Sequence, residues 1–342
     1  MTRRSLVCAP ASLIFAAAET TRASFLRLIH RPIVPLSPVT RSLPTSGELE
    51  RQHFSFASEA HERVPGVMVK PKTARPLPVV VVLHGTGKNK EEQTPLLERL
   101  ARRGFLAVAI DGRYHGERAK GGDSDYTDAM LRAYRGAKEY PFLYDTVWDI
   151  MRLVDYLGTR PDVDARRIGM IGFSKGGMEL YLAAAADPRI AVAVPCIGVQ
   201  SFRWAMEHDA WQSRVGTFQA AIDAAAQDAG KNKVDASFLR VFYDRVVPGI
   251  YSDFDGPRMV PLIAPRPLLV INGDSDARTP MPGLRECLSA AEQAYASAAD
   301  RYQAVLQPNT GHKVNPESLT LAVDWFEKWL VQDPNSSRSR RD

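Results

Sequence analysis

Arg167-Ile168-Gly169-Met170-Ile171-Gly172-Phe173-Ser174-Lys175-Gly176-Gly177-Met178-Glu179-Leu180-Tyr181-Leu182 is the stretch whose reading decides the fold. An apolar run, Ile168 to Ile171, meets the tight sequence Gly172 to Gly177 and passes into the helix-forming run Met178 to Ala186. That order predicts a strand, a sharp turn and a helix. Glycines at 172 and 176 leave no Cβ to collide where strand and helix converge, so Ser174 can take a strained conformation with its hydroxyl exposed. The following helix aims its first free N–H groups and the positive end of its dipole at the same spot, where an oxyanion forms during acyl transfer. This is the pattern of a nucleophile elbow. A Gly-x-Ser-x-Gly string also arises by accident in a glycine-rich turn, so the flanking sequence has to decide.

Upstream, Val67-Met68-Val69 alternates into Lys70-Pro71 as an early antiparallel strand, and Pro78 to Leu83 is a continuous β-branched run of the kind buried on both faces of a sheet. His84-Gly85-Thr86-Gly87 follows it, then a polar loop and a helix at about 94–103. Phe105 to Ile110 is the next strand and ends in Asp111-Gly112-Arg113-Tyr114-His115-Gly116. Val147, Ile150, Met151, Val154 and Leu157 recur at helical spacing, which places a crossover helix before the strand at 168–171. Ile190 to Val194, Pro267 to Ile271 and Tyr302 to Leu306 supply further strands, and Leu319 to Leu330 a closing helix. The fold class is α/β: a mostly parallel, doubly wound sheet.

Residues 198–258 break this rhythm with Phe202, Trp204, Trp211, Phe218, Phe238, Phe242, Tyr243 and Tyr251 among helix formers, and read as a helical lid over the strand ends. Core packing is the alternative role for these aromatics. The division expected is a leader over 1–47, a first core segment over 48–197, the lid over 198–258, a second core segment over 259–332 and a disordered Ser/Arg-rich tail over 333–342.

The chain has 342 residues, 45% of them hydrophobic and 24% charged, with a formal charge of +5. Residues 1–47 contain Arg3, Arg4, Arg22, Arg27, Arg31 and Arg41 against the single acid Glu19, and removing this segment leaves acids and bases in balance. Nucleic acid is therefore not an expected partner. The leader's composition suits a chloroplast or mitochondrial transit peptide; a secretory signal and a plain disordered extension of a cytoplasmic protein are the alternatives. Its apolar run is too short for a stable membrane span. Cys8, Cys196 and Cys287 are too few and scattered for a disulfide framework or a zinc site. No phosphate loop, dinucleotide fingerprint or metal-ligand cluster is present, so no cofactor is expected.

A serine nucleophile needs a base to take its proton and a carboxylate to hold that base in the right tautomer. Asp274 and Asp276 follow the strand at 267–271, and His312 follows the strand at 302–306, so both partners lie beyond strands that come after the elbow.

The order Ser, Asp, His, the elbow and the early His-Gly together resemble the α/β-hydrolase superfamily over residues 63–330. Within it, the chain looks closest to the esterase-like branch of dienelactone hydrolases and acetyl xylan esterases. Lys88-Asn89-Lys90-Glu91, Arg113 to Ala119 and Phe202-Arg203-Trp204-Ala205 also resemble a group of plant and bacterial hydrolases without a defined substrate. The resemblance implies an α/β-hydrolase fold with a triad of Ser174, Asp276 and His312. Asp276 is favoured over Asp274 because Gly273, Asp276 and Pro280 match the family's loop. It implies oxyanion donors at the Lys175 N–H and in the loop after the strand at 79–83, at Thr86 or else Gly87. Tyr114 and Trp204 are the candidates to line a substrate pocket, although an Arg–Asp pair pinning two loops is the competing role for residues 111–115. Dienelactone hydrolases use cysteine where this chain has Ser174, so lactone cleavage is not carried over.

The expected activity is hydrolysis of a small carboxylic ester. A prolyl-oligopeptidase-like peptidase and a hydrolase-fold receptor with little turnover are the competing readings.

Overall fold

The computed structural model describes residues 11–45 and 47–331. The expected tail at 333–342 and the first part of the expected leader, residues 1–10, lie outside the described residues.

A single sheet is built from β1 (Val39–Leu43), β2 (Leu49–Glu59), β3 (Glu62–Pro71), β4 (Leu77–Leu83), β5 (Leu106–Ile110), β6 (Val163–Phe173), β7 (Ile190–Cys196), β8 (Leu268–Gly273) and β9 (Tyr302–Gln307). Its order is β1-β2-β3-β5-β4-β6-β7-β8-β9, antiparallel from β1 to β5 and parallel from β5 to β9. The β-branched run of β4 sits at the centre, where side chains alternate between two covered faces. Val79, Val81 and Leu83 join one buried cluster, while Val80 and Val82 join the other.

On the first face lie α1 (Ala11–Ile29), α4 (Tyr144–Gly158) and α5 (Lys175–Ala186); on the second lie α2 (Thr94–Arg102) and α11 (Pro316–Phe326). Helix α3 (Asp125–Tyr134) follows the β5 loop. Between β7 and β8 the chain forms α6 (Phe202–Glu207), α7 (Gln219–Asp228), α8 (Ala236–Val246) and the short α9 (Gly256–Met259), and α10 (Met281–Ala294) precedes β9.

Three features depart from the sequence expectations. Strands β1 and β2 were not anticipated, because β2 alternates buried Phe54, Phe56 and Ser58 with half-exposed polar residues and so lacks an apolar run. The division of the chain at residue 47 does not follow a break in packing and is corrected. Phe25 and Ile29 of α1 are fully buried, Arg22 bonds the carbonyls of Ala185 and Leu262 at 2.8 and 3.0 Å, and β1 pairs with β2. Apolar spacing within α1, hidden by the basic composition of the segment, accounts for this. Finally, the aromatics of the β7–β8 insertion serve the core. Phe202, Phe218, Phe238, Phe242 and Tyr243 are buried, with the Phe218 ring centre 4.8 Å from that of Phe142 and Phe242 stacked on Tyr134 at 5.6 Å.

Helix α1 supplies a test. The Phe25 ring lies 5.1 Å from Tyr144 and 5.0 Å from Phe254. Such aromatic pairs contribute about 0.5–1.5 kcal/mol each beyond area burial. Phe25→Leu is expected to lower the urea unfolding midpoint, at unchanged slope, by an amount equivalent to about 1–3 kcal/mol. An unchanged midpoint would mean that α1 is not part of the cooperative unit.

Candidate active site

Ser174 ends β6 and precedes the first residue of α5, with φ 54° and ψ −114°. Few non-glycine residues adopt such a conformation, and those that do are held by over-determined surroundings. The Ser174 N–H donates to the Cys196 carbonyl at 2.9 Å, and its own carbonyl accepts from Met178 N at 3.0 Å. A Cβ on Gly172 would lie 2.1 Å from the Gly176 carbonyl oxygen, and one on Gly176 would lie 2.5 Å from that of Leu83. Only glycine at both positions lets strand and helix approach closely enough to make the turn.

His312, in the loop after β9, bridges two partners. Its Nε2 is 2.8 Å from Ser174 Oγ and its Nδ1 is 2.7 Å from Asp276 Oδ2. Asp276 lies in the loop after β8, its side chain wholly buried and its Oδ1 accepting the Arg278 N–H at 2.8 Å. Burial alone would raise this carboxyl, but the hydrogen bond and charge of His312, with bonds from Thr279 and Arg278, hold it below the usual carboxylate range. Asp274, the alternative acid, is exposed and accepts from Thr310 N at 3.2 Å and Ser275 Oγ at 2.8 Å, the bonds of a turn carboxylate. The structure therefore brings together Ser174, Asp276 and His312 from the loops after β6, β8 and β9, three parallel strands on one side of the sheet with β7 between the first two.

Two hollows meet at Ser174 and His312. The wider, about 410 Å³, is bordered by Gly85, Thr86, Lys88, Glu92, Gln93 and Arg278. The smaller, about 30 Å³, is bordered by Thr86, Phe142, Met178, Gln200, Arg214 and Arg278 among others. Thr86 borders both, and Gly87 borders neither. Lys175 opens α5, so its backbone N–H is among those without an acceptor inside the helix. Its side chain is buried, paired with Glu179 and 5.7 Å from the centre of the Tyr126 ring. Burial pushes the Glu179 carboxyl up, against the pull of the Lys175 cation.

His84 organises the loop that carries Thr86. Burial, together with the Lys175 cation, pushes its imidazole down to about 4, so the ring is neutral at pH 7. Nε2 accepts the Gly112 N–H at 3.0 Å, which leaves the proton on Nδ1 for donation to the Gly85 carbonyl at 2.8 Å. In a trans peptide the C=O and the next N–H point in opposite directions, so clamping the Gly85 carbonyl also sets the direction of the Thr86 N–H.

The loop after β5 is a scaffold for this arrangement. Asp111 and Lys90 are both fully buried and paired at 2.7 Å, joining the β5 and β4 loops. Arg113 and Arg118 converge on buried Asp149 of α4, with nearest contacts of 3.0 and 2.7 Å. Here the loop-pinning role wins over pocket lining. Tyr114 borders neither hollow: its hydroxyl donates to Glu139 at 2.5 Å, and it walls a separate charged cavity of about 600 Å³. Its positive φ of 63° turns the side chain away from the strand ends, which corrects the expectation that it lines the substrate pocket. Trp204 is likewise corrected. Its indole stacks on His208 at 4.5 Å and covers Gly283 of α10, away from both hollows.

Sequence reasoning passed over Arg214, Gln200 and Arg278. A lone arginine or glutamine in a helical insertion carries no spacing signal, and only the fold brings these residues to Ser174.

YtaP of Bacillus subtilis (strain 168), which carries a hydrolase name, is 29% identical over 286 residues, covering 79% of this chain and 85% of its own. YitV of the same organism, which carries an esterase name, is 23% identical and covers 75% of this chain and 91% of its own. Among solved structures, the acetyl xylan esterase from Paenibacillus sp. R4 superposes with a TM-score of 0.63 at 21% identity, covering 96% of this chain and 97% of that one, and so shares the fold. Residues 64–238, half of the sequence and the part that contains the elbow, match the dienelactone hydrolase family. The chain thus belongs to the dienelactone hydrolase family, a family of carboxylesterase-type hydrolases with the α/β-hydrolase fold.

Proposed function

We propose that this protein hydrolyses a carboxylic ester through an acyl-enzyme formed on Ser174. The observation that carries this reading is the unbroken bridge Ser174 Oγ, His312, Asp276, with bonds of 2.8 and 2.7 Å. His312 Nε2 takes the Ser174 proton as Oγ attacks the acyl carbon, and then gives it to the leaving alcohol. Asp276 keeps the other ring proton on Nδ1, so that Nε2 is free to act as base. The oxyanion is met by the Lys175 N–H at the start of α5 and by the Thr86 N–H. Water, activated by the same histidine, then cleaves the acyl-enzyme.

The wider hollow is bordered by the loops after β4, β6, β8 and β9 and by no residue of the insertion, so it suits the alcohol half of the substrate. Support for an ester rather than another acyl compound comes from the family and from the esterase names of relatives and structural neighbours.

Turnover of p-nitrophenyl acetate and butyrate, combined with peptide mapping after treatment with a fluorophosphonate, tests the proposal. Steady release of nitrophenol and a single adduct on Ser174 are expected. An adduct without turnover would favour a receptor, and turnover with no adduct on Ser174 would overturn the assignment of the nucleophile.

A further inference from the structure

The smaller hollow at Ser174 carries positive charge with no negative charge to match it. Arg214, in the β7–β8 insertion, is 8% exposed. Its Nε donates to Ser213 Oγ at 3.1 Å, while Nη2 is buried and has no partner. Among the described residues no carboxylate lies within 4.0 Å of this guanidinium. A second guanidinium, that of exposed Arg278, borders the same hollow and is also without an ion pair among the described residues. The nearby Asp276 forms its ion pair with His312 and accepts the Arg278 backbone N–H, and it lies beyond ion-pair distance of both guanidiniums.

Burying an unpaired charge is expensive, and such groups are ordinarily paired or bound to a ligand. Burial pushes the Arg214 guanidinium down only to about 10, so it remains a cation at neutral pH. Arg214 shares a wall with Ser174 and His312, and buried Gln200 on the same wall donates its amide N–H to Met178 Sδ at 3.0 Å, which leaves Arg214 and Arg278 as the cationic groups bordering the hollow. An alkyl chain here would leave both guanidiniums unmatched. The volume of about 30 Å³ is room for roughly two or three water-sized groups. It admits a few atoms next to the ester carbonyl and no long chain.

We propose, resting on the Ser174 esterase reading, that this hollow is a subsite for a short acyl group ending in a carboxylate, with Arg214 as the specificity-determining residue. The substrates are then monoesters of short dicarboxylic acids. The ester C–O bond breaks, the alcohol leaves with the proton from His312, and water supplies the hydroxyl that completes the dicarboxylate. The insertion shapes specificity through Arg214, in place of the tryptophans its composition draws attention to.

The test compares kcat/KM for monomethyl malonate and for uncharged methyl butanoate in the wild type, Arg214→Met and Arg214→Lys. Wild type is expected to favour the malonate monoester by on the order of 10–100-fold, as a charged hydrogen bond implies. Arg214→Met should bring the ratio close to one, and Arg214→Lys should keep part of it. A wild-type ratio of one or less, or a Met variant that slows both esters equally, overturns the proposal. A binding measurement separates it from the nucleophile assignment. Free malonate should raise the melting temperature of Ser174→Ala and leave that of Ser174→Ala/Arg214→Met unmoved; equal response in the two variants would refute the subsite whatever the fate of the esterase reading.

Discussion

Ser174→Ala is expected to lower kcat for p-nitrophenyl acetate by on the order of 10³-fold or more, the scale seen when members of a catalytic triad are removed. In the proposed mechanism the missing Oγ is the acyl acceptor, and in the structure it is the partner of His312 at 2.8 Å, whereas the Cβ that packs in the elbow is retained. Backbone strain at φ 54° is the same for Ala as for Ser, so folding should change little. A matched circular dichroism spectrum and a melting temperature near wild type would separate lost chemistry from lost structure. Retention of more than about a tenth of wild-type kcat would exclude Ser174 as the nucleophile.

Asp149→Ala should have the largest effect on stability, about 3–5 kcal/mol, because it removes one partner of a buried ionic group and leaves the others charged. The carboxylate is fully buried and bonded by Arg113 Nε and Nη2 at 3.0 and 3.1 Å and by Arg118 Nη1 at 2.7 Å. Glu59 and Glu62 still contact the two arginines but are more exposed, and Glu59 is shared with Arg31. That loss is a large part of the 5–15 kcal/mol typical of a folded domain. Denaturant unfolding gives the number, and Asp149→Asn, which keeps the shape, should fall in the same direction.

The same carboxylate makes a pH prediction. Burial alone would raise it, but the charges of Arg113 and Arg118 outweigh burial and hold it far below the carboxylate range. Its folded pKa lies below the unfolded value of about 3.9. Its stabilising contribution is therefore complete above about pH 4 and is lost as pH falls through the folded value. The acid limb of the stability curve should be shallower in Asp149→Ala than in wild type; parallel limbs would show that the pair does not drive acid unfolding.

Ser174, Asp276 and His312, which the fold brings into contact, were legible because each stands next to a signal of its own. Ser174 lies between glycines at the junction of an apolar run and a helix former. Asp276 and His312 follow apolar strands, and a strand end is where a parallel sheet presents functional groups. Local backbone rules were enough for these. The N-terminal segment was misread because composition, dominated by six scattered arginines, concealed a helix whose inward residues are Phe25 and Ile29. Tyr114 and Trp204 were misread because side-chain direction depends on a positive φ in one case and on the seat offered by Gly283 in the other.

By itself, then, the sequence determined the strand–turn–helix at Ser174 and the parallel sheet around it, since both follow from short-range sterics and hydrophobic periodicity, while the expected order Ser174, Asp276, His312 came from the resemblance to α/β-hydrolases. Only the tertiary structure decided between Asp274 and Asp276 by contact, seated Phe25 and Ile29 in the core, turned most of the insertion's aromatics inward and set Arg214 beside Ser174. Those outcomes depend on contacts between residues far apart in the chain, where the balance of burial and charge pairing is settled by what the fold places opposite each side chain.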